Sequence, residues 1–323
     1  MYKISNSNNN LNKIDSIDSP FFNRREFMHK AIAVPFSVGI GLSYSSFLNN
    51  NIQRSISQVF SGNTLLRINN LGKTGIKVSS ISMGQAMEPS VYLYAYDRGM
   101  NLIESARGYR GGSHEKVVAQ ALKRIKRDKV YIATKVDSSF LKNGDYYNGI
   151  IKSTNLSLQA LETDYIDILL GHGIDEVKVL SDPNFQKAFV DLKKSGKIRF
   201  CGVSTHKARP ILEWMINNPF YEVAMIGFNY ASPLESVDIL LRAKQSGVGI
   251  LNMKTLALNL KDRNKSLPSA LRYVLSRSFI DSAVVLMANF TQLKENLQAL
   301  EMQFSELDLQ LLKENIRPSR SYF

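Results

Sequence analysis

The sequence predicts an α/β fold, a closed (β/α)8 barrel, on three observations. Apolar strand-like runs alternate with amphipathic helical patterns, eight units over about 240 residues, which is the length such a barrel needs. No linker-like break in composition interrupts residues 65–318. Three of the runs end on an ionisable residue, at Glu104, Lys135 and His172. A charge at the end of a buried strand is costly unless it is paired or put to use. In a parallel barrel these three ends meet at one mouth, where such folds carry their chemistry.

Taken in order, Leu65–Val78 alternates around Gly72 and Gly75 and reads as a β-hairpin ahead of the barrel. The first four strands are expected at Ser80–Met83, Asn101–Ile103, Val130–Thr134 and Ile166–Leu170. The second four are expected at Phe200–Val203, Val223–Phe228, Gly249–Met253 and Ala283–Leu286. Their apolar runs are short and bounded by glycine or charge, as buried parallel strands are. Helical periodicity occupies Val91–Arg98, His114–Ile125, Tyr146–Leu161 and Asn184–Ser195, then Lys207–Ile216, Leu234–Ser246, Pro268–Ser276 and Thr291–Leu300. Ser305–Asn315 adds an extra C-terminal helix.

Composition narrows the partners. At 44% apolar and 21% charged, the chain has ordinary globular material for a large core. Its net charge of +13 favours anionic partners such as phosphate-bearing cofactors. No basic run is interleaved with aromatics, so nucleic acid is not expected. The single cysteine, Cys201, excludes an internal disulfide, a cysteine zinc site and a cysteine-ligated cluster. No metal is expected.

Residues 1–22 are rich in Asn and Ser and lack periodicity. Arg24 and Arg25, Phe27 and Lys30 then precede the mildly apolar run Ala31–Leu48, a pattern similar to a twin-arginine export signal. Residues 1–48 are therefore expected to address the chain, through the twin-arginine machinery, to a place outside the cytoplasm, with 49–64 as a linker and 65–323 as the barrel. Pro35, Gly39 and Gly41 make the run a poor bilayer anchor, although without a clear cleavage site it can still serve as a membrane tether.

The ordered motifs bring in a family. LGKTGIKVSSISMG, ESARGY, SHEKVVAQAL, VYIATKV, DYIDILLGHGID, KSGKIRFCGVSTH, GVGILNMKTLA, ALRYVLS and QLKENLQAL together resemble the aldo/keto reductases over nearly all of residues 65–323. The resemblance implies a TIM-type barrel that reduces small carbonyl compounds, or oxidises alcohols, with NADP or NAD. It assigns Tyr109 as general acid, Lys135 as the cation that makes a tyrosine with an ordinary pKa near 10 a usable donor, Glu104 as the partner of Lys135, and His172 as the group that orients the carbonyl. Ser204, Thr205, Met225 and Met253 fall at nicotinamide positions. Lys254, Thr255 and Leu256 follow as cofactor-binding positions, as do Met287, Ala288, Asn289 and Gln292 after the eighth strand, and Glu295 and Asn296 keep the adenine-side pattern.

Departures from the pattern carry information too. Glu104 stands where the family has aspartate, and Arg110, in place of a glycine, is suited to an anionic substrate. Thr205, Met225 and Met253 replace an asparagine, a glutamine and an aromatic, and LNLKDRNK replaces a glycine loop, with Lys261, Arg263 and Lys265 as charges. Leu286 and Ala288 replace a glycine and a lysine, which leaves the choice between NAD and NADP open. These changes keep a second reading alive, that of a catalytically impaired barrel acting as an exported binding or assembly protein.

Overall fold

The computed structural model describes residues 66–142, 144–233, 235–256, 261 and 263–316, with the backbone alone at 263–265. The expected export segment and linker lie outside these residues, as do residues 258–260 and 262 of the LNLKDRNK loop.

The hairpin forms from β1 (Ile68–Asn70) and β2 (Lys77–Ser79), which pair antiparallel. Eight parallel strands follow: β3 (Ile81–Met83), β4 (Leu102–Glu104), β5 (Tyr131–Lys135), β6 (Ile166–Gly171), β7 (Ile198–Thr205), β8 (Val223–Gly227), β9 (Gly249–Met253) and β10 (Ser282–Val285). They close into a barrel in sequence order, with β10 returning to pair β3. All eight expected strands are present, and no end moves by more than two residues.

The helices between them are α1 (Pro89–Tyr96), α2 (His114–Leu122), α3 (Tyr146–Leu161), α4 (Val177–Leu180), α5 (Pro183–Lys194), α6 (Ala208–Asn217), α7 (Glu235–Ser246), α8 (Arg263–Leu275) and α9 (Phe290–Gln298), with α10 (Glu306–Asn315) at the end. Two differences from expectation have physical causes. Helix α4 is one turn long, too short to carry a period. Helix α8 begins at Arg263 and holds Pro268 inside it, so the expected start at Pro268 was too late. The proline costs one intrahelical hydrogen bond, and the helix runs through it. Helix α10 starts on a capping box made by Ser305 and Asp308. Among the described residues no helix is long and apolar enough to cross a membrane.

The hairpin closes the N-terminal end of the barrel. Leu71, Ile76 and Val78 pack into the interior against Leu102, Ala133, Ile168, Leu170, Val223, Met225 and Leu251. Gly72 adopts a left-handed φ of 50°, and a Cβ there would collide with the backbone of Gly249 and Gly247. Only glycine allows that approach. Asp281 ties the floor together: its carboxylate pairs with Lys244 and accepts from the amides of Gly72 (3.2 Å) and Ile250 (2.8 Å). With its floor sealed, the barrel is open at the ends of strands β4, β5 and β6.

Candidate active site

Pleating decides which side chains face the barrel axis, and on β4 and β5 it turns the last residues, Glu104 and Lys135, inward. Both are buried, at 3% and 1% exposure, and they form an ion pair through Glu104 Oε1. The ammonium also donates to Ser105 O (3.0 Å) and to the Tyr109 hydroxyl (2.8 Å), so its three protons have three acceptors. The Tyr109 hydroxyl in turn donates to Glu104 Oε1 at 3.1 Å. His172, just past β6, places its ring 6.0 Å from the Tyr109 ring, edge to face. The four residues named from sequence meet at one mouth.

The loop that delivers Tyr109 is strained. Arg110, Gly111 and Gly112 are all left-handed, with φ of 53°, 62° and 88°. Arginine is out of place there, since its Cβ crowds the following carbonyl. A Cβ on Gly112 would strike the Arg107 guanidinium, which the loop wraps. Arg107 donates to Gly112 O and pairs with Glu115 at 2.6 Å.

Burial sets the electrostatics. It pushes the Tyr109 phenol up to about 12 and the Lys135 ammonium down to about 7, because both charged forms lose water. The carboxylate touching Lys135 opposes the second shift. Burial, aided by the nearby Lys135 charge, lowers His172 to about 4, so its imidazole is neutral at physiological pH. A neutral imidazole can donate to a carbonyl oxygen without exchanging a proton with it.

A cavity of about 400 Å³ opens beside this mouth at the ends of β9 and β10. Lys254, Thr255, Leu256, Gln292, Glu295 and Asn296, six positions named from sequence, line it together with Leu267, Val284, Val285 and Leu286. Lys254 is left-handed (φ 61°), and its carbonyl accepts from Asn229 Nδ2 at 3.1 Å. Thr255 Oγ1 accepts from Asn252 Nδ2 at 2.7 Å. Asn289 caps α9 by accepting from the amide of Gln292 (3.0 Å), whose side chain accepts from the amide of Ala288 (2.9 Å).

Other named positions lie elsewhere. Ser204 Oγ accepts from the amide of Gly173 at 3.0 Å, and Thr205 Oγ1 donates to Asp175 at 2.9 Å. Met225 packs in the barrel core with Met253 against it, and Met287 is fully buried. Neither Met225 nor Met287 lines the cavity at the ends of β9 and β10.

Sequence reading missed the layer behind the mouth. Ser105, His114 and Tyr92 form a buried chain, with Ser105 Oγ 2.7 Å from His114 Nδ1 and His114 Nε2 2.9 Å from the Tyr92 hydroxyl. Glu115 is buried beside it. A polar pair opening the apolar helix SHEKVVAQAL was the one available signal.

The aldo/keto reductase family model matches residues 72–269. The chain is 26% identical over 305 residues to the L-galactose dehydrogenase of Arabidopsis thaliana, covering 78% of this chain and 93% of that one. It is 33% identical over 139 residues to the NADH-specific methylglyoxal reductase of Escherichia coli, covering 38% and 42%. Among solved structures, an aldo-keto reductase of Klebsiella pneumoniae in complex with NADPH superposes with a TM-score of 0.65 at 21% identity, covering 78% of this chain and 96% of that one. The holo form of an aldo-keto reductase from Bacillus halodurans gives 0.64 at 21%, covering 79% and 97%. These structures share the fold. The chain belongs to the aldo/keto reductase family of oxidoreductases.

Proposed function

We propose that this protein is an NAD(P)-dependent oxidoreductase that reduces a small carbonyl compound, or oxidises the matching alcohol, with Tyr109 as its proton donor. The observation that carries the reading is the Lys135 ammonium 2.8 Å from the Tyr109 hydroxyl, inside a buried site that also holds Glu104. The cavity at the ends of β9 and β10 fits one end of a dinucleotide. It offers an ammonium, a hydroxyl, two amide side chains and an apolar floor within reach of the mouth. Lys254 and Thr255 would hold phosphate there, and Gln292 and Asn296 the adenine side. When bound, the nicotinamide supplies or accepts the hydride.

The protein's own groups manage the proton. His172 donates to the carbonyl oxygen and sets its direction. Tyr109 turns its hydroxyl proton from Glu104 toward that oxygen and transfers it as negative charge develops there. The tyrosinate left behind keeps its hydrogen bond from Lys135, whose positive charge offsets its burial. Glu104 holds the ammonium in place, and the ion pair keeps the resting site near neutral.

Export belongs to the same reading: residues 1–48 carry the twin-arginine-like segment, 49–64 a linker and 65–323 the barrel. The twin-arginine route carries folded proteins, which is compatible with a cofactor loaded before export, and an uncleaved segment would leave a membrane tether.

The test is oxidation of NADPH and NADH against a panel of aldehydes and ketones, with mass spectrometry of the native N-terminus. Turnover on some member with either cofactor is expected. Stable, folded protein that neither binds dinucleotide nor turns over any member would overturn the enzymatic reading, and an intact cytoplasmic N-terminus would overturn export.

A further inference from the structure

Glu104 and Lys135 hang from two neighbouring strand ends, and the first turn of α2 grips both ends from outside the barrel. The pleat that turns Glu104 and Lys135 inward turns Ser105 and Thr134 outward, toward that helix. Ser105 Oγ lies 2.7 Å from His114 Nδ1, and Thr134 Oγ1 donates to Glu115 Oε1 at 2.7 Å. His114 and Glu115 are adjacent in sequence and fully buried. One residue reaches the strand that carries the carboxylate, and the next reaches the strand that carries the ammonium.

The proton accounting closes. The Tyr92 hydroxyl donates its only proton to Gly84 O (3.0 Å) and accepts from the amide of Ala86 (3.1 Å). With that proton committed, His114 Nε2 is the donor to Tyr92, and Nδ1 is the acceptor for the Ser105 hydroxyl. Burial keeps this imidazole neutral, with its pKa lowered to about 4. Glu115 Oε2 takes Arg107 at 2.6 Å, so both of its oxygens are used. Ser105 contributes twice: its hydroxyl meets His114, while its carbonyl accepts from the Lys135 ammonium at 3.0 Å. The imidazole ring also stands edge to face against the Tyr109 ring, at 6.1 Å.

We propose that His114 and Glu115 are positioning residues, a two-armed clamp that fixes the strand ends bearing Glu104 and Lys135 and so holds the ammonium against the Tyr109 hydroxyl. The proposal rests on the reading of Tyr109 and Lys135 as the proton-donating pair. Misplacement of a reacting group by about 1 Å costs on the order of a hundredfold in rate, so a loosened strand end is felt in turnover before it is felt in folding.

The test uses the full-length protein and two side chains that imitate opposite ends of an imidazole. In His114→Asn an amide oxygen takes the place of Nδ1 and keeps the Ser105 bond. In His114→Gln an amide nitrogen takes the place of Nε2 and keeps the Tyr92 bond instead. Ser105→Ala and Thr134→Val each remove one arm. The first readout is kcat and KM for an aldehyde. The second is the pH midpoint of Lys135 acetylation by acetic anhydride, followed by mass spectrometry, which needs no turnover.

The expected result is a fall in kcat of about tenfold, with KM unchanged, in His114→Gln, Ser105→Ala and Thr134→Val, while His114→Asn recovers most of the parental rate. In His114→Gln and Ser105→Ala the Lys135 midpoint moves down, because a slack Ser105 carbonyl no longer favours the ammonium. Equal losses in His114→Asn and His114→Gln would make the ring a packing element and overturn the clamp, as would a normal kcat and midpoint in Ser105→Ala. A parent without turnover that still shows the expected pattern of midpoints would sink the proposed function and leave the clamp standing.

Discussion

Two buried carboxylates sit at opposite ends of this barrel and are treated in opposite ways. Asp167, at the start of β6, is 1% exposed and is met on both oxygens, by Arg199 (2.8 Å) on one and by Arg127 (2.7 Å) and the amide of Ile132 (3.0 Å) on the other. Glu104, at the end of β4, takes both its donors on Oε1, from Lys135 and from the Tyr109 hydroxyl. Each donor to Asp167 is a guanidinium or a backbone amide. One donor to Glu104 is a phenol on a strained loop facing the mouth. The floor uses its charge to hold strands together, whereas on the proposed function the mouth keeps one hydrogen bond for a substrate to replace.

The comparison breaks most sharply at Tyr109. Tyr109→Phe removes one oxygen and leaves the ring contacts with His114 and His172 in place. Carbonyl reduction should fall about a thousandfold, within the usual range for a positioned general acid, with little change in thermal midpoint. A variant within tenfold of the parent would move the proton donor elsewhere.

The reverse pattern is expected at the floor. Asp167→Ala strands two guanidinium groups and the amide of Ile132. Breaking a buried pair typically costs 3–5 kcal/mol, and the partial exposure of both arginines places this case near the lower end, at about 3 kcal/mol. Differential scanning calorimetry should show the midpoint falling by roughly 6–12 °C, with kcat per folded molecule unchanged. A loss of kcat larger than the loss of folded protein would erase the distinction between the two ends.

The next variant sharpens the mouth itself. Glu104→Gln keeps the shape and an oxygen acceptor but withdraws the negative charge. Burial already holds the Lys135 ammonium down at about 7, and the carboxylate opposes that shift. Removing the carboxylate moves Lys135 further down, so the deprotonated, inactive form appears at lower pH. The expected outcome is a tenfold or greater fall in kcat at pH 7.5, with the alkaline limb of the pH–rate profile displaced toward acid. A limb displaced toward base would mean that Lys135 does not govern it.

What could be read from residues alone follows the same division. The strands were legible because parallel strands buried on both faces are short apolar runs between charge and glycine. Glu104, Lys135 and His172 stood out because each ends such a run. Tyr109 lies in a loop with no period, and only its resemblance to a family motif singled it out. The chain from Ser105 through His114 to Tyr92 joins three segments that come together only after folding, so no local pattern announces it. Met225 was assigned by its place in the family pattern, and the apolar layer it belongs to is a property of the closed barrel.

The smallest expected effect concerns Arg110, where fold and site make opposite demands. A non-glycine residue at φ 53° carries roughly 1 kcal/mol of strain, which glycine relieves while losing part of the gain to the entropy of its unfolded chain. Arg110→Gly should therefore raise stability by about 0.5 kcal/mol, seen as a midpoint higher by about 1–2 °C. The guanidinium has no ion-pair partner among the described residues, and its charge helps lower the His114 pKa. If that strain is kept for a negative charge on the substrate, the same variant raises KM for a carboxylated aldehyde and leaves KM for its neutral analogue of equal length alone. A gain in stability with both KM values unchanged would make Arg110 a tolerated accident of the loop, and the mouth would owe its selectivity to His172 and the loops around it.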